Sequence, residues 1–251
     1  MRLKDRGGRY LPESLLDQPF HFCPGCGHGI ITRILAESID ELGIRESAVC
    51  VLGIGCCTFM DQFLNFDTFD ALHGRAPAVA TGLKLAQPEK AIFTYQGDGD
   101  LASIGISEIV HAANRGLSLT TFMVNNTVYG MTGGQMGATT LLGQKTSTSP
   151  LGRQAKLHGF PIRVPEMLQH MNGAAFLARV SICSPDRVVQ AKKSFRKALE
   201  FQLEDKGFSY VEILSPCVTG LKKSPVDAMA WVREEMEKCY PIGIMKPPAG
   251  V

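Results

Sequence analysis

The chain has 251 residues, with 26 Lys and Arg against 24 Asp and Glu, and it is 45% hydrophobic and 20% charged. That length can bury a substantial core, and so apolar a composition with so small a net charge excludes disorder for the bulk of the chain. No basic stripe stands out in the sequence, which argues against nucleic acid as a partner. Met1–Leu16 carries charges but no apolar run, which argues against a signal peptide. The uncharged stretch Gly116–Gln144 is broken by Asn125, Asn126, Gln135 and many glycines, so it does not read as a membrane span. A cytoplasmic setting is expected, in which the eight cysteines are thiols or metal ligands rather than disulfides.

Taken in chain order, His28–Leu42 places apolar residues at helical spacing and ends at Gly43, a plausible terminator. Ala48–Ile54 is a short, continuously apolar run of the kind found in buried parallel strands. Ala78–Ala86 reads as a helix closed by Pro88, Lys90–Tyr95 as a strand, Ile104–Asn114 as a helix and Leu119–Val124 as a strand. Gly130–Arg153 shows no clear period and reads as a long functional loop. Phe176–Ile182 and Ser209–Leu214 are further strands, with helices at Asp186–Gln202 and Val226–Cys239. Strands alternating with helices of this length predict an α/β fold, with a mostly parallel sheet covered by helices on both faces. One domain is expected over residues 1–251, with a CxxC segment at about 20–30 and a helical tail at about 225–251.

Parallel sheets bind ligands beyond the carboxyl ends of their strands. Two motifs sit at such ends: Gly97-Asp98-Gly99-Asp100, and Asn125-Asn126 after the next helix and strand. Magnesium takes about six oxygen ligands, typically few carboxylates together with phosphate oxygens. Asp98 can offer a carboxylate oxygen, Asn126 an amide oxygen, and a residue just beyond, such as Val128, a carbonyl. Gly97 and Gly99 let backbone approach a phosphate closely. A lone GDG is also an ordinary turn after a strand, but GDG and NN separated by one helix-strand unit form a far more specific pattern.

The second grouping is Cys23-Pro24-Gly25-Cys26, Cys56-Cys57 and Cys217. CxxC grips one metal or cluster from a single turn, and two more ligands must come from elsewhere. A tetrahedral zinc site competes with an iron–sulfur cluster, although no second CxxC is present. The cysteines alone leave the remaining ligands open among Cys50, Cys56, Cys57, Cys183, Cys217 and Cys239, with Cys50 and Cys183 reading best as small core residues.

The two groupings together resemble one family, the thiamine diphosphate-binding (β) subunits of 2-oxoacid:ferredoxin oxidoreductases. The resemblance lies in CPGCGHG at Cys23–Gly29, GIGCC at Gly53–Cys57, HGRAPAVATGLK at His73–Lys84, YQGDGDLASIG at Tyr95–Gly105, NNTVYGMTGGQ at Asn125–Gln135 and SPC at Ser215–Cys217. It implies a thiamine diphosphate-binding fold of the diphosphate-binding type. It also implies Mg²⁺ on Asp98, Asn126 and Val128, and a [4Fe–4S] cluster on Cys23, Cys26, Cys56 and Cys217, with Cys57 a neighbour. Cofactor contacts are implied at Ile54, Gly55, Cys56, Cys57, Gly97, Gly99, Gly130, Met131 and Thr132, with His28 and His73 nearby.

The implied reaction is oxidative decarboxylation of a 2-oxoacid with coenzyme A to acyl-CoA and CO₂, the electrons passing through the cluster to ferredoxin. The segment MTGGQMGATTLLGQ with Gly152-Arg153 looks most like the 2-oxoisovalerate (branched-chain) type; 2-oxoglutarate is the near alternative, and a non-redox thiamine diphosphate decarboxylase subunit the further one. Gly133 stands where some relatives carry a lysine linked to coenzyme A, so those contacts are expected from another subunit. Lys84 and Arg153 could meet a carboxylate, but a solvated surface role is the stronger expectation. The glutamate that such enzymes place against the aminopyrimidine ring is expected on a pyrimidine-domain (α) partner, with a γ-type and a ferredoxin-like subunit completing the complex.

Overall fold

A computed structural model describes residues 10–246. The expectations for residues 1–9 and 247–251 lie outside the described residues.

Nine strands form: β1 (Ala48–Leu52), β2 (Asp67–Asp70), β3 (Ala91–Gly97), β4 (Thr120–Asn125), β5 (Val128–Tyr129), β6 (Gln135–Met136), β7 (Ala174–Ser181), β8 (Phe208–Leu214) and β9 (Gly243–Lys246). Seven of them make one sheet in the order β2-β1-β3-β4-β8-β7-β9, while β5 and β6 form a separate small hairpin. Every pairing in the large sheet is parallel except β7 with β9. The helices are α1 (Gly27–Leu42), α2 (Ala76–Ala86), α3 (Ile106–Arg115), α4 (Ala155–His158), α5 (Val164–Leu168), α6 (Pro185–Leu203), α7 (Val218–Leu221), α8 (Pro225–Trp231) and α9 (Glu237–Cys239).

The central strands are apolar on both sides because both sides are covered. Phe93, Tyr95 and Phe122 face a core completed by Ile31, Leu35, Phe195 and Leu199 of α1 and α6. Ile92 and Met123 face the opposite core, shared with Ala80 of α2 and Ile109 of α3. Phe122 and Phe195 stack at 4.3 Å between ring centroids, which ties β4 to α6. Helix α1 stops where Gly43 adopts φ 67°, a left-handed conformation that glycine reaches without a Cβ penalty.

The predicted helices and strands from α1 to β8 form within a few residues of their expected bounds. Four features differ. The edge strands β2 and β9 were not expected; β2 is the polar, largely exposed sequence DTFD and carries no buried-strand signal. The tail is helical only to Cys239, through α8, a π-helical turn (Val232–Met236) and α9, and it then returns as β9 against β7. The segment Gly130–Arg153 is a folded knot of turns around the β5–β6 hairpin, with bridges between Leu142 and Arg153 and between Thr146 and Ser149. Its organiser is Arg153, expected at the surface but only 6% exposed. The guanidinium donates to the carbonyls of Gly137, Ala138, Thr140, His158, Gly159 and Phe160, so hydrogen bonding offsets the cost of burying it.

Candidate functional site

The carboxyl ends of β1, β3, β4 and β8 converge on one side of the sheet, and a cavity opens there. It is lined by His28 from α1, Ile54, Gly55, Cys56 and Cys57 after β1, His73 before α2, Gly97, Asp98, Gly99 and Asp100 after β3, and Asn126, Val128, Tyr129, Gly130, Met131 and Thr132 after β4. Positions far apart in sequence thus share one wall because parallel strands deliver their loops to the same edge.

Asp98 is 2% exposed. One carboxylate oxygen accepts the Gly99 N–H at 2.9 Å; the other accepts the Thr127 N–H at 2.8 Å and the Thr139 hydroxyl. Burial pushes its carboxyl up to about 6, even against these bonds. A carboxylate held in this state gains strongly from a bound cation. Thr127 has φ 67°, a strained conformation for a β-branched residue, and its N–H, hydroxyl and carbonyl are all hydrogen-bonded. That turn presents Asn126 and Val128 to the cavity. The donor set of one carboxylate, one amide oxygen and one carbonyl fits Mg²⁺ with diphosphate.

His28 is buried, stacks on Phe22 at 5.2 Å and places Nδ1 2.9 Å from the Tyr95 hydroxyl. Burial alone lowers it to about 4, so it stays neutral at pH 7. His73 is partly exposed, and its Nδ1 bonds the Asp100 carboxylate, leaving Nε2 free.

Asp100 is the residue that motif reading missed. It is buried, and besides His73 it accepts the Gly74 N–H at 2.7 Å, the Ile54 N–H at 3.3 Å and the Gln96 amide. One carboxylate therefore joins the loops after β1 and β3 and before α2. Gly53 is required beside it, since a Cβ there would strike the Asp100 carboxylate. The available signal was the second aspartate of the GDGD sequence.

Cys26 has Cys56, Cys217 and Cys23 as electrostatic neighbours, and Cys56 has Cys217 and Cys23, so the four thiols are neighbours; of them Cys56 lines the cavity. Burial raises the Cys26 thiol to about 12, a backbone hydrogen bond at His28 opposes this, and Cys56, Cys217 and Cys23 push it further up. Burial likewise raises Cys56, with Cys217 and Cys23 adding to the effect. Cys56 itself lines the cavity, and Cys217 lies against Gly130 on its wall. Four neighbouring thiols, ranging from exposed Cys23 to buried Cys217, fit a polynuclear metal cluster, whose positive charge would replace the protons. Among the described residues, no three His, Cys, Asp or Glu side chains close on a point that would hold a single ion. A tetrahedral zinc would need sulfurs roughly 4 Å apart.

Cys57 turns away, its thiol toward the Gly53 carbonyl at 3.3 Å. Cys50 is a core residue as expected, and Cys183 is half-buried, packed against the small core of Leu214, Val232 and Met236 with its thiol 3.3 Å from Glu237. Lys84 caps the Pro88 and Lys90 carbonyls near the amino end of β3, away from the cavity.

A Gly-Asp-Gly turn and an Asn pair at adjacent parallel strand ends define the diphosphate-binding domain of a thiamine enzyme. The comparisons agree. Residues 53–213 match the family described as thiamine pyrophosphate enzyme, C-terminal TPP binding domain. The chain is 46% identical over 222 residues to the ketoisovalerate oxidoreductase subunit VorA of Methanothermobacter thermautotrophicus, covering 88% of this chain and 46% of that protein. It is 35% identical over 222 residues to the 2-oxoglutarate synthase subunit KorB of Methanocaldococcus jannaschii, covering 86% and 78%. The solved 2-oxoglutarate:ferredoxin oxidoreductase from Magnetococcus marinus, with 2-oxoglutarate, coenzyme A and succinyl-CoA bound, superposes with a TM-score of 0.76 at 27% identity, covering 95% of this chain and 85% of that one. The chain belongs to the thiamine pyrophosphate enzymes, among the subunits of 2-oxoacid:ferredoxin oxidoreductases. It spans about half the length of the VorA proteins it matches. Among the described residues, no helix is long and apolar enough to cross a membrane.

Proposed function

We propose that this chain is the thiamine diphosphate-binding subunit of a coenzyme A-dependent 2-oxoacid:ferredoxin oxidoreductase, and that its substrate is 2-oxoisovalerate or another branched-chain 2-oxoacid. The observation that carries the reading is the shared wall: Cys56 lines the same cavity as Asp98, Asn126 and Val128. A cofactor site and an electron acceptor in contact are what separate this chemistry from non-redox decarboxylation.

Thiamine diphosphate supplies an electron sink for loss of CO₂, and a [4Fe–4S] cluster takes electrons one at a time. The protein's part is binding and orientation. Asp98, Asn126 and the Val128 carbonyl hold Mg²⁺, and Cys23, Cys26, Cys56 and Cys217 hold the cluster. Asp100 fixes His73 so that Nε2 is the nitrogen offered to bound ligand, while neutral His28 closes the floor without adding charge. Among the described residues, Asp98 and Asp100 are the carboxylates on the wall, both committed, so the glutamate for the aminopyrimidine comes from a pyrimidine-domain partner. A γ-type and a ferredoxin-like subunit complete the assembly in a cytoplasmic complex.

Met131, 48% exposed at the cavity, suits an aliphatic side chain. No lysine or arginine lines the cavity among the described residues, and Arg153 is spent on carbonyls, which disfavours a second substrate carboxylate such as that of 2-oxoglutarate. The test is the native complex, captured through this chain and given a panel of 2-oxoacids with coenzyme A and ferredoxin. The expected result is the highest kcat/KM on branched substrates. Preference for 2-oxoglutarate would overturn the substrate, and acid-to-aldehyde conversion without ferredoxin reduction would overturn the redox assignment.

A further inference from the structure

Behind the metal-binding turn lies a buried charged group that the site chemistry does not use. Arg179 of β7 is 1% exposed and sits opposite Glu212 of β8, which is fully buried. Its Nε donates to Glu212 at 2.7 Å, and its two terminal nitrogens donate to the partly exposed Glu166 at 2.8 and 2.7 Å. The second Glu212 oxygen accepts the Asn125 amide N–H at 2.6 Å. The Asn125 oxygen then accepts the Thr127 N–H at 3.2 Å, and that same N–H reaches Asp98 at 2.8 Å. Arg179 also lies over the Tyr240 ring at 5.2 Å, and the Tyr240 hydroxyl donates to the carbonyl of Thr139, whose own hydroxyl bonds Asp98.

We propose that Glu212 and Arg179 are positioning residues for the metal-binding turn: the ion pair fixes which way the Asn125 amide faces, and Asn125 thereby holds Thr127 in its strained conformation with its N–H on Asp98. The two asparagines divide the work, one facing inward to Glu212 and one facing the cavity. A buried ion pair is a weak device for stability, since apolar residues of equal volume often serve as well, but it is a strong device for fixing polarity. Its relevance to cofactor binding rests on the reading of Asp98 and Asn126 as Mg²⁺ ligands; its effect on the turn does not.

The discriminating substitution is Glu212→Gln. Arg179 Nε must keep an acceptor, so the new amide turns its oxygen to Arg179 and its NH₂ to Asn125. Two donors then face each other, Asn125 flips, and the Thr127 N–H loses one of its two acceptors and meets a donor in its place, keeping only Asp98. Adding Asn125→Asp exchanges donor for acceptor across the same gap and restores every bond at unchanged net charge. Two readouts apply to the native complex stripped of metal and diphosphate: amide hydrogen exchange in the segment 125–141 against that in β3, and the Kd for thiamine diphosphate with Mg²⁺.

Glu212→Gln is expected to speed exchange in the turn, and to weaken the Kd, each by about tenfold, as loss of one charge-assisted bond implies. The double variant is expected to recover both to within about threefold, since paired changes at touching residues couple. If Glu212→Gln unfolds while the double variant folds and exchanges like the parent, the proposal stands. Unchanged exchange in Glu212→Gln, or a double variant no better than the single, overturns it. A parent complex that shows this exchange pattern but binds no thiamine diphosphate supports the positioning of the turn and refutes the cofactor reading instead.

Discussion

His28 and Asp98 face the same cavity, and burial shifts them in opposite directions, so the metal-free chain should show two opposed pH dependences. His28 titrates near 4 when folded against an ordinary 6.5, so the unfolded chain binds its proton first, and stability is lost as pH falls from about 6.5 toward 4. Asp98 titrates near 6 when folded against an ordinary 3.8, so the folded chain binds its proton first, and stability is gained as pH falls from about 6 toward 3.8. Integrated from pH 7.5 to pH 5, His28 costs about 2 kcal/mol and Asp98 contributes about 1.4 kcal/mol. The two nearly cancel in the parent. Relative to it, His28→Gln should gain about 2 kcal/mol on acidification and Asp98→Asn should lose about 1.4 kcal/mol, opening a gap of about 3 kcal/mol between the variants. Urea unfolding with EDTA at the two pH values reads this directly. Acid responses of the two variants that run parallel to the parent's would refute the reasoning that burial dominates both groups.

Asp100→Ala strips acceptors from Ile54 N–H, Gly74 N–H, Gln96 and His73 at once, and should cost about 3 kcal/mol in chemical unfolding and abolish turnover; an active, stable variant would remove Asp100 from the site. Arg153→Met leaves six carbonyls without their donor, those of Gly137 and Thr140 buried, and should cost about 3 kcal/mol and raise proteolysis within 137–160, whereas a surface role predicts no change. Cys56→Ala should abolish iron binding while Cys57→Ala retains it, because only Cys56 faces Cys23 and Cys217; equal iron in both would displace Cys56 from the ligand set.

The parts of the site legible in the sequence were those whose chemistry is local. GDGD, NN and CxxC each fit within four residues; the convergence of GDGD and NN followed from parallel topology, while CxxC, which precedes the first strand, was placed beside them only by the family resemblance. What was not legible depends on partners distant in sequence. Asp100 bonds Ile54, 46 residues away, and Gly74, 26 away. Arg179, Glu212 and Arg153 carry the composition of surface residues, and only the fold reveals that each is buried among complementary groups. The edge strands β2 and β9 escaped because an exposed edge carries no apolar run; the tail that reads as helix turns back as strand only because β7 leaves an edge to pair.

The central claim is that one wall joins a thiamine diphosphate site to an iron–sulfur cluster. The complex purified without oxygen, analysed for iron, acid-labile sulfide and thiamine diphosphate per copy of this chain, tests it most directly. After allowance for any ferredoxin-like subunit, the account predicts about four irons and four sulfides on this chain beside bound thiamine diphosphate, with a visible absorbance band that dithionite bleaches. An iron-free chain, or one carrying a single zinc, would contradict it.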